Sequence, residues 1–508
     1  MAAAAEIASP SMPPRQAPSR GPWHGVSLGG WLLLEPGPNQ ELFRRHRLPA
    51  TRSRSKTNQE GHEARCEWEL MKAMKARGVL SELTAHRDTF VTRNDFQRIK
   101  RMGLNAVRIP FGYWIVMGPT SGDPYVGPGL KYLDNAVRWC EELGLQVLLD
   151  LHGAPGGESA ETPCGRRQRG PKKSQQWHWR QWRFQESLEA LEIISKRYAQ
   201  SRAVTGIAVC NEPAKDVPLR TLCNFYARAI DTIRNAGVSP DVTVVLPVFQ
   251  RSLPDFVQWW SKVAERAEKS HNCDAQTWHG DICFEVHWYH CFENEWHGRT
   301  FAQHLRAVQE HARELRKYPI VVGEWSLALG RGAQPNILNS REEMRRIFGQ
   351  IQLAAYREAS HGFFFWTWSD IGGGADWDWQ QSYSQIWPGW VKHQQEWSVR
   401  EPPPTASSEL DDLLEQVLDA PASNPSVYYG DTIYLRAFNG CYLDVEGPDL
   451  RARYGDRGQW QQFTICPVEE VASSRPVKDG DLIRLMAHTG KFVGVAKRAG
   501  RASARWTE

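Results

Sequence analysis

The sequence predicts an α/β protein, a (β/α)8 or TIM barrel, followed by a small all-β module. Three observations lead to this prediction. Eight short apolar segments occur between Gly25 and Trp368, and longer amphipathic segments lie between most of them. This alternation is typical of a sheet of parallel strands covered by helices. The composition changes near Arg400, and a repeated strand-like pattern follows.

The eight apolar segments are short, rich in Val, Ile, Leu or Phe, and nearly continuous in hydrophobicity. This pattern is typical of parallel strands that are buried on both faces. The segments are GVSLGG from Gly25, NAVRIP from Asn105, QVLLDLHG from Gln146, TGIAVCNEP from Thr205, VTVVLPV from Val242, CFEVHWY from Cys283, PIVVGEW from Pro319 and GFFFWTW from Gly362.

Four helices are predicted between these segments from apolar residues at three- and four-residue spacing. Their stripes are Leu133, Val137, Cys140 and Leu143; Leu222, Phe225, Ala229, Ile230 and Ile233; Phe301, Leu305, Val308, Ala312 and Leu315; and Met344, Ile347, Ile351 and Ala354. A doubly wound open sheet is the alternative, but it would usually carry a Gly-rich phosphate loop after its first strand. Because no clear helix pattern follows GVSLGG, the barrel is favoured.

The chain divides into four predicted parts. These are a tail over residues 1–20, the barrel over 21–399, a linker with one short helix over 400–427, and an all-β module over 428–508. Within the module, Ile433–Val445 and Ile483–Val495 share the pattern I-x-L-x-A-x-x-G-x-aromatic-aliphatic-x-V. The pattern resembles a fascin-like β-trefoil, of which this chain would hold an incomplete part. A generic pair of hairpins is the alternative.

The bulk composition excludes several classes of protein. A net charge of +4 in 508 residues gives no argument for nucleic-acid binding. No apolar run is long enough for a membrane span. The N-terminus lacks the apolar core of a signal peptide, which favours a cytoplasmic location over an extracellular one. The ten cysteines lack metal-binding spacing, so most are expected to be buried thiols. No metal, no cofactor and a monomer are expected.

Polar and aromatic residues follow the predicted strands at the ends where a barrel assembles its site. They are Glu35, Arg108, His152, Asn211, Glu212, Phe249, His287, Tyr289, Glu324 and Trp366. Glu212 and Glu324 end the fourth and seventh strands, on opposite sides of the barrel mouth. Glycoside hydrolysis requires two carboxyl groups, which retaining enzymes hold about 5–5.5 Å apart. Individually, His152, His287 and Trp366 could instead be core residues.

Seven ordered motifs resemble glycoside hydrolase family 5, and within it the exo-1,3-β-glucanases. They are GVSLGGWLLLEP from Gly25, VRIP from Val107, DLHGAPG from Asp150, NEP from Asn211, HWYHCF from His287, GEW from Gly323 and FFWTW from Phe364. The resemblance implies a retaining mechanism in which Glu212 is the acid/base and Glu324 is the nucleophile.

The resemblance also implies roles for the neighbouring residues. Arg108 and Tyr289 would orient Glu324, and Asn211 would bind the sugar 2-hydroxyl. Glu35 and His152, with His287 nearby, would bind other hydroxyls of the sugar. Trp366 would form the stacking floor, and Phe292 would lie at the entrance. The family's fungal members carry a second entrance aromatic in the loop after LHGAPG. This loop has no Phe here, and only Trp177 and its neighbours could replace it.

Two loops are rich in basic residues and are predicted to emerge on the active-site face. They contain Arg44, Arg45, His46, Arg47, Arg52, Arg54 and Lys56, and Arg166, Arg167, Arg169, Lys172 and Lys173. One hypothesis is a basic rim that favours anionic glycans or a charged surface. Ordinary solvated charge is the alternative.

The combined prediction is a retaining β-glucosidase that acts on β-1,3-glucan from the non-reducing end. The alternatives are an endo-β-glucanase, a glucosidase for glycolipids, and a glycan-binding protein without activity.

Overall fold

The computed structural model contains two compact units. The larger unit holds the described residues up to Ile386, and the smaller unit holds those from Tyr429 onward. The described residues are 18–48, 62–169, 176–271, 280–334, 340–386, 429, 432–435, 442–446, 449–454, 461–468, 482–495 and 502–506. The predicted linker and almost all of the predicted N-terminal tail lie outside these ranges.

The larger unit is a closed barrel of eight parallel strands, in which each strand pairs with the next and β8 pairs with β1. The strands are β1 Trp23–Ser27, β2 Ala106–Gly112, β3 Gln146–Gly153, β4 Val204–Ala208, β5 Thr243–Pro247, β6 Ile282–His290, β7 Ile320–Leu329 and β8 Gly362–Phe365. Each lies in or overlaps one predicted segment. The predicted fold and the eight strands are therefore confirmed.

Helices occupy the connections between the strands. They are α1 Gln40–Arg45, α2 Glu67–Arg77, α3 Leu80–Thr89, α4 Arg93–Arg101, α5 Tyr113–Val116, α6 Leu130–Leu143, α7 Phe184–Tyr198, α8 Leu219–Asn235, α9 Leu253–His271, α10 Asn294–Gly298, α11 Phe301–Leu315, α12 Arg341–Tyr356 and α13 Trp379–Ile386. The four predicted stripes lie on α6, α8, α11 and α12. Gly144 ends α6 in the left-handed conformation, with a φ of 65°. No helix in the described ranges is long and apolar enough to cross a membrane.

One residue from each strand fills the centre of the barrel, which is therefore a packed core. This layer consists of Trp23, Ala106, Leu148, Ala208, Val245, Cys283, Val321 and Phe364. The large rings of Trp23 and Phe364, whose centroids lie 5.7 Å apart, share the layer with the small side chains of Ala106 and Ala208. Such large and small combinations fill a barrel interior without voids. Nearly all strand residues below the site are apolar, so the charges collect at one end.

The smaller unit contains one antiparallel sheet with the strand order β10-β11-β15-β14-β13-β12-β9. Its strands are β9 Thr432–Tyr434, β10 Tyr442–Glu446, β11 Asp449–Tyr454, β12 Gln462–Pro467, β13 Ile483–Ala487, β14 Phe492–Val495 and β15 Ala502–Trp506. Each copy of the repeated pattern supplies two strands, and Val445, Phe463 and Ala487 form a small core. The all-β character is confirmed, whereas trefoil symmetry stays a prediction.

Candidate active site

A cleft of about 1290 Å³ opens at the carboxyl ends of the barrel strands. Nine of the eleven residues that the sequence singled out line it: Glu35, His152, Glu212, Phe249, His287, Tyr289, Phe292, Glu324 and Trp366. The other two, Arg108 and Asn211, lie fully buried beneath it. The structure thus brings the predicted residues together in one place.

The two glutamates face each other across this cleft. Glu212 lies in the loop after β4, and Glu324 lies within β7. One carboxylate oxygen of Glu212 and one of Glu324 lie within 4.8 Å of each other. This close approach of the nearest oxygens is compatible with the roughly 5–5.5 Å between the carboxyl groups of retaining glycosidases.

Glu324 is surrounded by donors and positive charge. Its Oε1 accepts a hydrogen bond from Arg108 Nη1 at 2.8 Å, and its Oε2 accepts one from the Tyr289 hydroxyl at 2.6 Å. Burial alone would raise the pKa of Glu324, but the charges of His287 and Arg108 outweigh it and bring the pKa below its usual range. Glu324 is therefore an ionised, oriented carboxylate suited to nucleophilic attack.

Glu212 has a different environment. Burial raises the pKa of Glu212, although the hydrogen bond from His287 Nδ1, at 2.8 Å, opposes this shift. A carboxyl group that keeps its proton beside an ionised partner is suited to general acid catalysis. Burial alone would lower the pKa of His287, but the charge of Glu324 and the hydrogen bonds to Glu212 and Glu285 raise it to about 10. His287 is therefore a charged donor to Glu212.

Two buried carboxylates that sequence reasoning missed complete the network around Arg108. Its Nη2 lies 3.1 Å from Asp150, and its Nε lies 3.2 Å from Glu285. Arg108 Nη2 also donates to Asn211 Oδ1 at 2.8 Å. Gly323 makes room for this arrangement, because a Cβ there would lie 1.8 Å from Glu285 Oε1. The signal in the sequence was a carboxylate two residues before a histidine, in DLH and EVH, since such residues share one face of a strand.

His152 lies on the opposite side of the site, against the Trp366 ring at a centroid distance of 5.4 Å. Its Nδ1 bonds Asp150 at 2.7 Å, and its Nε2 lies 3.7 Å from Glu35. Burial would lower the pKa of His152, but the charge and the hydrogen bond of Asp150 raise it to about 10. A charged His152 donates from both nitrogens. Its Nε2–H then lies at the cleft, 3.3 Å from the buried Asn211 amide.

Aromatic residues form the entrance on the Tyr289 side. Phe292 is 62% exposed, and its ring centroid lies 5.7 Å from that of Trp377 and 5.1 Å from that of Tyr289. Sequence reasoning missed Trp377, because it sought the second aromatic in the loop after β3. Trp177 does not line the cleft: it is buried, and its indole donates to the Gly157 carbonyl at 3.1 Å. The prediction that Trp177 could replace the second entrance aromatic was therefore wrong.

By distance alone, Glu212, His287 and Glu324 could hold a metal ion, since one ligand atom from each lies within 4.8 Å of the others. The surrounding charge disfavours this. Arg108 already contacts Glu324, and His287 carries a proton on the nitrogen that faces Glu212. A divalent cation would have to displace that proton and tolerate the guanidinium.

The hypothesis of a basic rim finds little support among the described residues. Arg169 lines the cleft but pairs with Glu161, and Arg45 pairs with Glu41 and Glu82. Eight Asp and Glu side chains line the cleft against three Lys and Arg. Since Arg52, Arg54, Lys56, Lys172 and Lys173 lie outside the described ranges, the hypothesis stays a prediction.

Comparison with known proteins gives a consistent result. Residues 63–372 match the family model described as Cellulase (glycosyl hydrolase family 5). A probable glucan 1,3-beta-glucosidase A of Aspergillus fumigatus is 30% identical over 398 residues, which cover 70% of this chain and 84% of that protein. Its counterpart in Aspergillus terreus is 31% identical over 392 residues, covering 70% and 84%. The crystal structure of rutinosidase from Aspergillus niger, 18% identical, has the same fold with a TM-score of 0.51, covering 73% of this chain and 97% of that one.

Proposed function

The chain belongs to glycoside hydrolase family 5, and on this premise we propose that it removes glucose from the non-reducing ends of β-1,3-glucan. It hydrolyses O-glycosyl bonds with retention of configuration, as the enzymes of this family do. The observation that carries the proposal is the Glu212–Glu324 pair, with oxygens within 4.8 Å and pKa values shifted in opposite directions. The named activity of the Aspergillus relatives supports the choice of linkage.

In the first step of the proposed mechanism, Glu324 attacks the anomeric carbon and Glu212 gives its proton to the glycosidic oxygen. The bond between the anomeric carbon and that oxygen breaks, so the shortened glucan leaves as an alcohol and the glucosyl unit becomes an ester of Glu324. Arg108 and Tyr289 hold Glu324 in place for this attack. In the second step Glu212, now a carboxylate, takes a proton from water whose oxygen attacks the same carbon and releases glucose.

The remaining residues hold the glucosyl unit. The role proposed for the Asn211 amide is to donate to the 2-hydroxyl, a hydrogen bond that strengthens toward the transition state. His152 and Glu35 offer a donor and an acceptor to other hydroxyls, and Trp366 supplies a flat apolar face beneath the ring. Phe292 and Trp377 flank the path along which a longer substrate leaves the barrel mouth.

The test is to incubate the protein and its Glu324→Gln variant with a laminarin-type β-1,3-glucan and to follow the products by NMR. We expect β-glucose as the first product of the wild type and a loss of more than roughly a thousandfold in the variant. Glu192→Gln is the matched control, because Glu192 is an exposed glutamate that pairs with Lys196 on the outer helix α7. Its rate should equal that of the wild type.

Other products would change the proposal in defined ways. Mixed oligosaccharides as early products would indicate an endo-β-glucanase, and cleavage of glucosylated lipids in preference to glucan would indicate a glycolipid glucosidase. Binding of glucan without any product from any β-glucoside would refute the catalytic roles of both glutamates. α-Glucose as the first product would refute retention.

A further inference from the structure

Arg251 makes an unusual set of hydrogen bonds beside the cleft. It lies in the loop after β5, and within the described part of the chain its guanidinium donates only to main-chain carbonyl groups. Nη1 bonds Pro213 O at 2.6 Å and Phe249 O at 3.2 Å, while Nη2 bonds Val217 O at 2.9 Å and also Ala214 O. None of the described carboxylates lies within ion-pair distance of it. This cation thus connects two strand-end loops through their backbones.

The segment that Arg251 holds begins at the residue after Glu212. Pro213, Ala214 and Val217 belong to the loop from β4 to α8, and Arg251 bonds the carbonyl of each. A second attachment comes from the loop after β3, since the Ala214 amide donates to Glu158 O at 3.0 Å. The chain on the C-terminal side of Glu212 is therefore fixed to both neighbouring loops.

The backbone beside Arg251 is also unusual. Gln250 has a φ of 53° and is the one residue other than glycine with a positive φ among the described residues. A left-handed conformation costs free energy for a residue with a Cβ and persists only where its surroundings hold it. Gln250 and Arg251 both line the cleft, as does Lys215 on the segment that Arg251 holds. This left-handed residue directly precedes Arg251, whose guanidinium bonds the carbonyls.

We propose that Arg251 is a positioning residue for the acid/base, which holds the backbone after Glu212 so that its carboxyl group meets the leaving oxygen. This inference rests on the proposed role of Glu212. Arg251 acts through the peptide chain, because its described hydrogen bonds go to carbonyls and none goes to the Glu212 side chain. Arginine suits this task, since its planar fork presents five donors in fixed directions, whereas lysine presents a single point of charge.

The chemistry gives this role a specific signature. Proton donation by Glu212 matters most when the departing oxygen is a poor leaving group, such as the sugar hydroxyl of a glucan or unsubstituted phenol. A good leaving group such as 2,4-dinitrophenolate departs with little help from an acid. Loss of acid positioning therefore slows the first class of substrate and spares the second, whereas general damage to the barrel slows both equally.

The experiment measures kcat/KM for aryl β-glucosides, from 2,4-dinitrophenyl to phenyl, with the full chain and its variants. Arg251→Met should lower the value for phenyl glucoside by about ten- to a hundredfold, since small misplacements of reacting groups have costs of this order. The value for 2,4-dinitrophenyl glucoside should change less than about threefold. Arg251→Lys keeps the charge but not the fork and should resemble Arg251→Met; if the latter does not fold, the lysine variant decides.

Arg234→Met is the matched control. Arg234 also donates to several carbonyls, those of Ser239, Val242 and Asp281. These lie at the amino-terminal ends of β5 and β6, away from the cleft. Its loss should lower the unfolding temperature without any dependence on the leaving group. A double variant adds a second readout: in a Glu212→Ala background, Arg251→Met should have almost no further effect on phenyl glucoside.

Equal losses for all leaving groups, or a full additional loss in the Glu212→Ala background, would overturn the proposal. An unchanged kcat/KM for phenyl glucoside in both Arg251 variants would also overturn it. Failure of the proposed function has a different outcome, in which the wild type leaves aryl glucosides intact but cleaves another aryl β-glycoside. The same leaving-group series is then measured on that glycoside, and Arg251 is judged by the same slope.

Discussion

Replacement of Arg108 by methionine tests the electrostatic basis of the site most directly. Arg108 is fully buried and lies 2.8, 3.1 and 3.2 Å from Glu324, Asp150 and Glu285. Methionine fills similar space without charge, so three buried carboxylates would lose a shared partner. Breaking a buried ion pair from one side costs about 3–5 kcal/mol.

The magnitude on Glu324 follows from dividing this cost. Shared equally among three carboxylates, it is about 1–1.7 kcal/mol each, which corresponds to about one pKa unit. Burial and the remaining charge of His287 still act on Glu324, so only the contribution of Arg108 is removed. The pKa of Glu324 should therefore rise by about one unit in Arg108→Met.

The sign of the pH effect is defined. Glu324 must be ionised to attack, so activity is present above its pKa and is lost as the pH falls through it. A raised pKa should move the acid limb of kcat/KM for an aryl glucoside to higher pH by about one unit. The rate at the optimum should also fall by roughly a hundredfold, because Glu324 loses the bond that orients it.

Arg108→Lys separates charge from orientation. A lysine retains a positive charge but cannot bond Glu324 and Asn211 together, so the rate should fall while the acid limb moves less than in Arg108→Met. An acid limb that stays in place in folded Arg108→Met, as judged by its near-ultraviolet circular dichroism, would refute the electrostatic argument.

Two further predictions concern residues that the sequence did not single out. Trp377→Ala should raise KM for glucan about two- to tenfold with little change in kcat, since a stacked ring contributes about 0.5–1.5 kcal/mol. Trp179, which is partly exposed and does not line the cleft, gives the control Trp179→Ala. An unchanged KM in Trp377→Ala would contradict the assignment. Burial raises the pKa of Glu158 from 4.5 to about 8, so its contribution to stability is complete below pH 4.5 and is lost as the pH rises through about 8. Relative to Glu158→Gln, the wild type should lose up to about 1.4 kcal/mol of its free energy of unfolding per pH unit between pH 4.5 and about 8. A difference in unfolding temperature between the two proteins that stays constant over this pH range would contradict the prediction.

The strands and the glutamate pair could be predicted because burial imposes a strong pattern. A strand covered on both faces must be apolar, so a charged residue within or after it is conspicuous. Glu212 and Glu324 each follow such a run, and the order of the strands places them across the barrel mouth. The prediction depended on composition along the chain and needed no knowledge of side-chain contacts.

The partners of Arg108 were harder to predict, because a single carboxylate inside a strand can face the barrel interior or the outer helices. Asp150 and Glu285 face inward, as their two-residue spacing from His152 and His287 would have indicated. Their register relative to Arg108 depends on the stagger between strands. That stagger is a property of the closed barrel, which no local pattern contains.

Trp377 and Arg251 lay beyond sequence reasoning for another reason. Trp377 reaches the entrance from the loop after β8, which packs against Tyr289 only in the folded barrel. Arg251 bonds four main-chain carbonyls, and main-chain groups leave no trace in the identity of the residues that carry them. Sequence patterns indicate side chains whose burial costs free energy, but they do not indicate which backbone carbonyls accept hydrogen bonds.

In the proposed mechanism, the balance of charge around the site lets Glu212 serve first as an acid and then as a base. Arg108, His152 and His287 offset the charges of the carboxylates around them, which are Asp150, Glu285, Glu324 and Glu35, while burial favours the protonated form of Glu212. Formation of the proposed glucosyl ester would remove the negative charge of Glu324, which adds an excess of one positive charge relative to the free enzyme. That excess lowers the pKa of Glu212, which has just lost its proton to the leaving group, and so favours the carboxylate that the second step requires. Hydrolysis of the ester restores the charge on Glu324, and with it the raised pKa that reloads Glu212 with a proton.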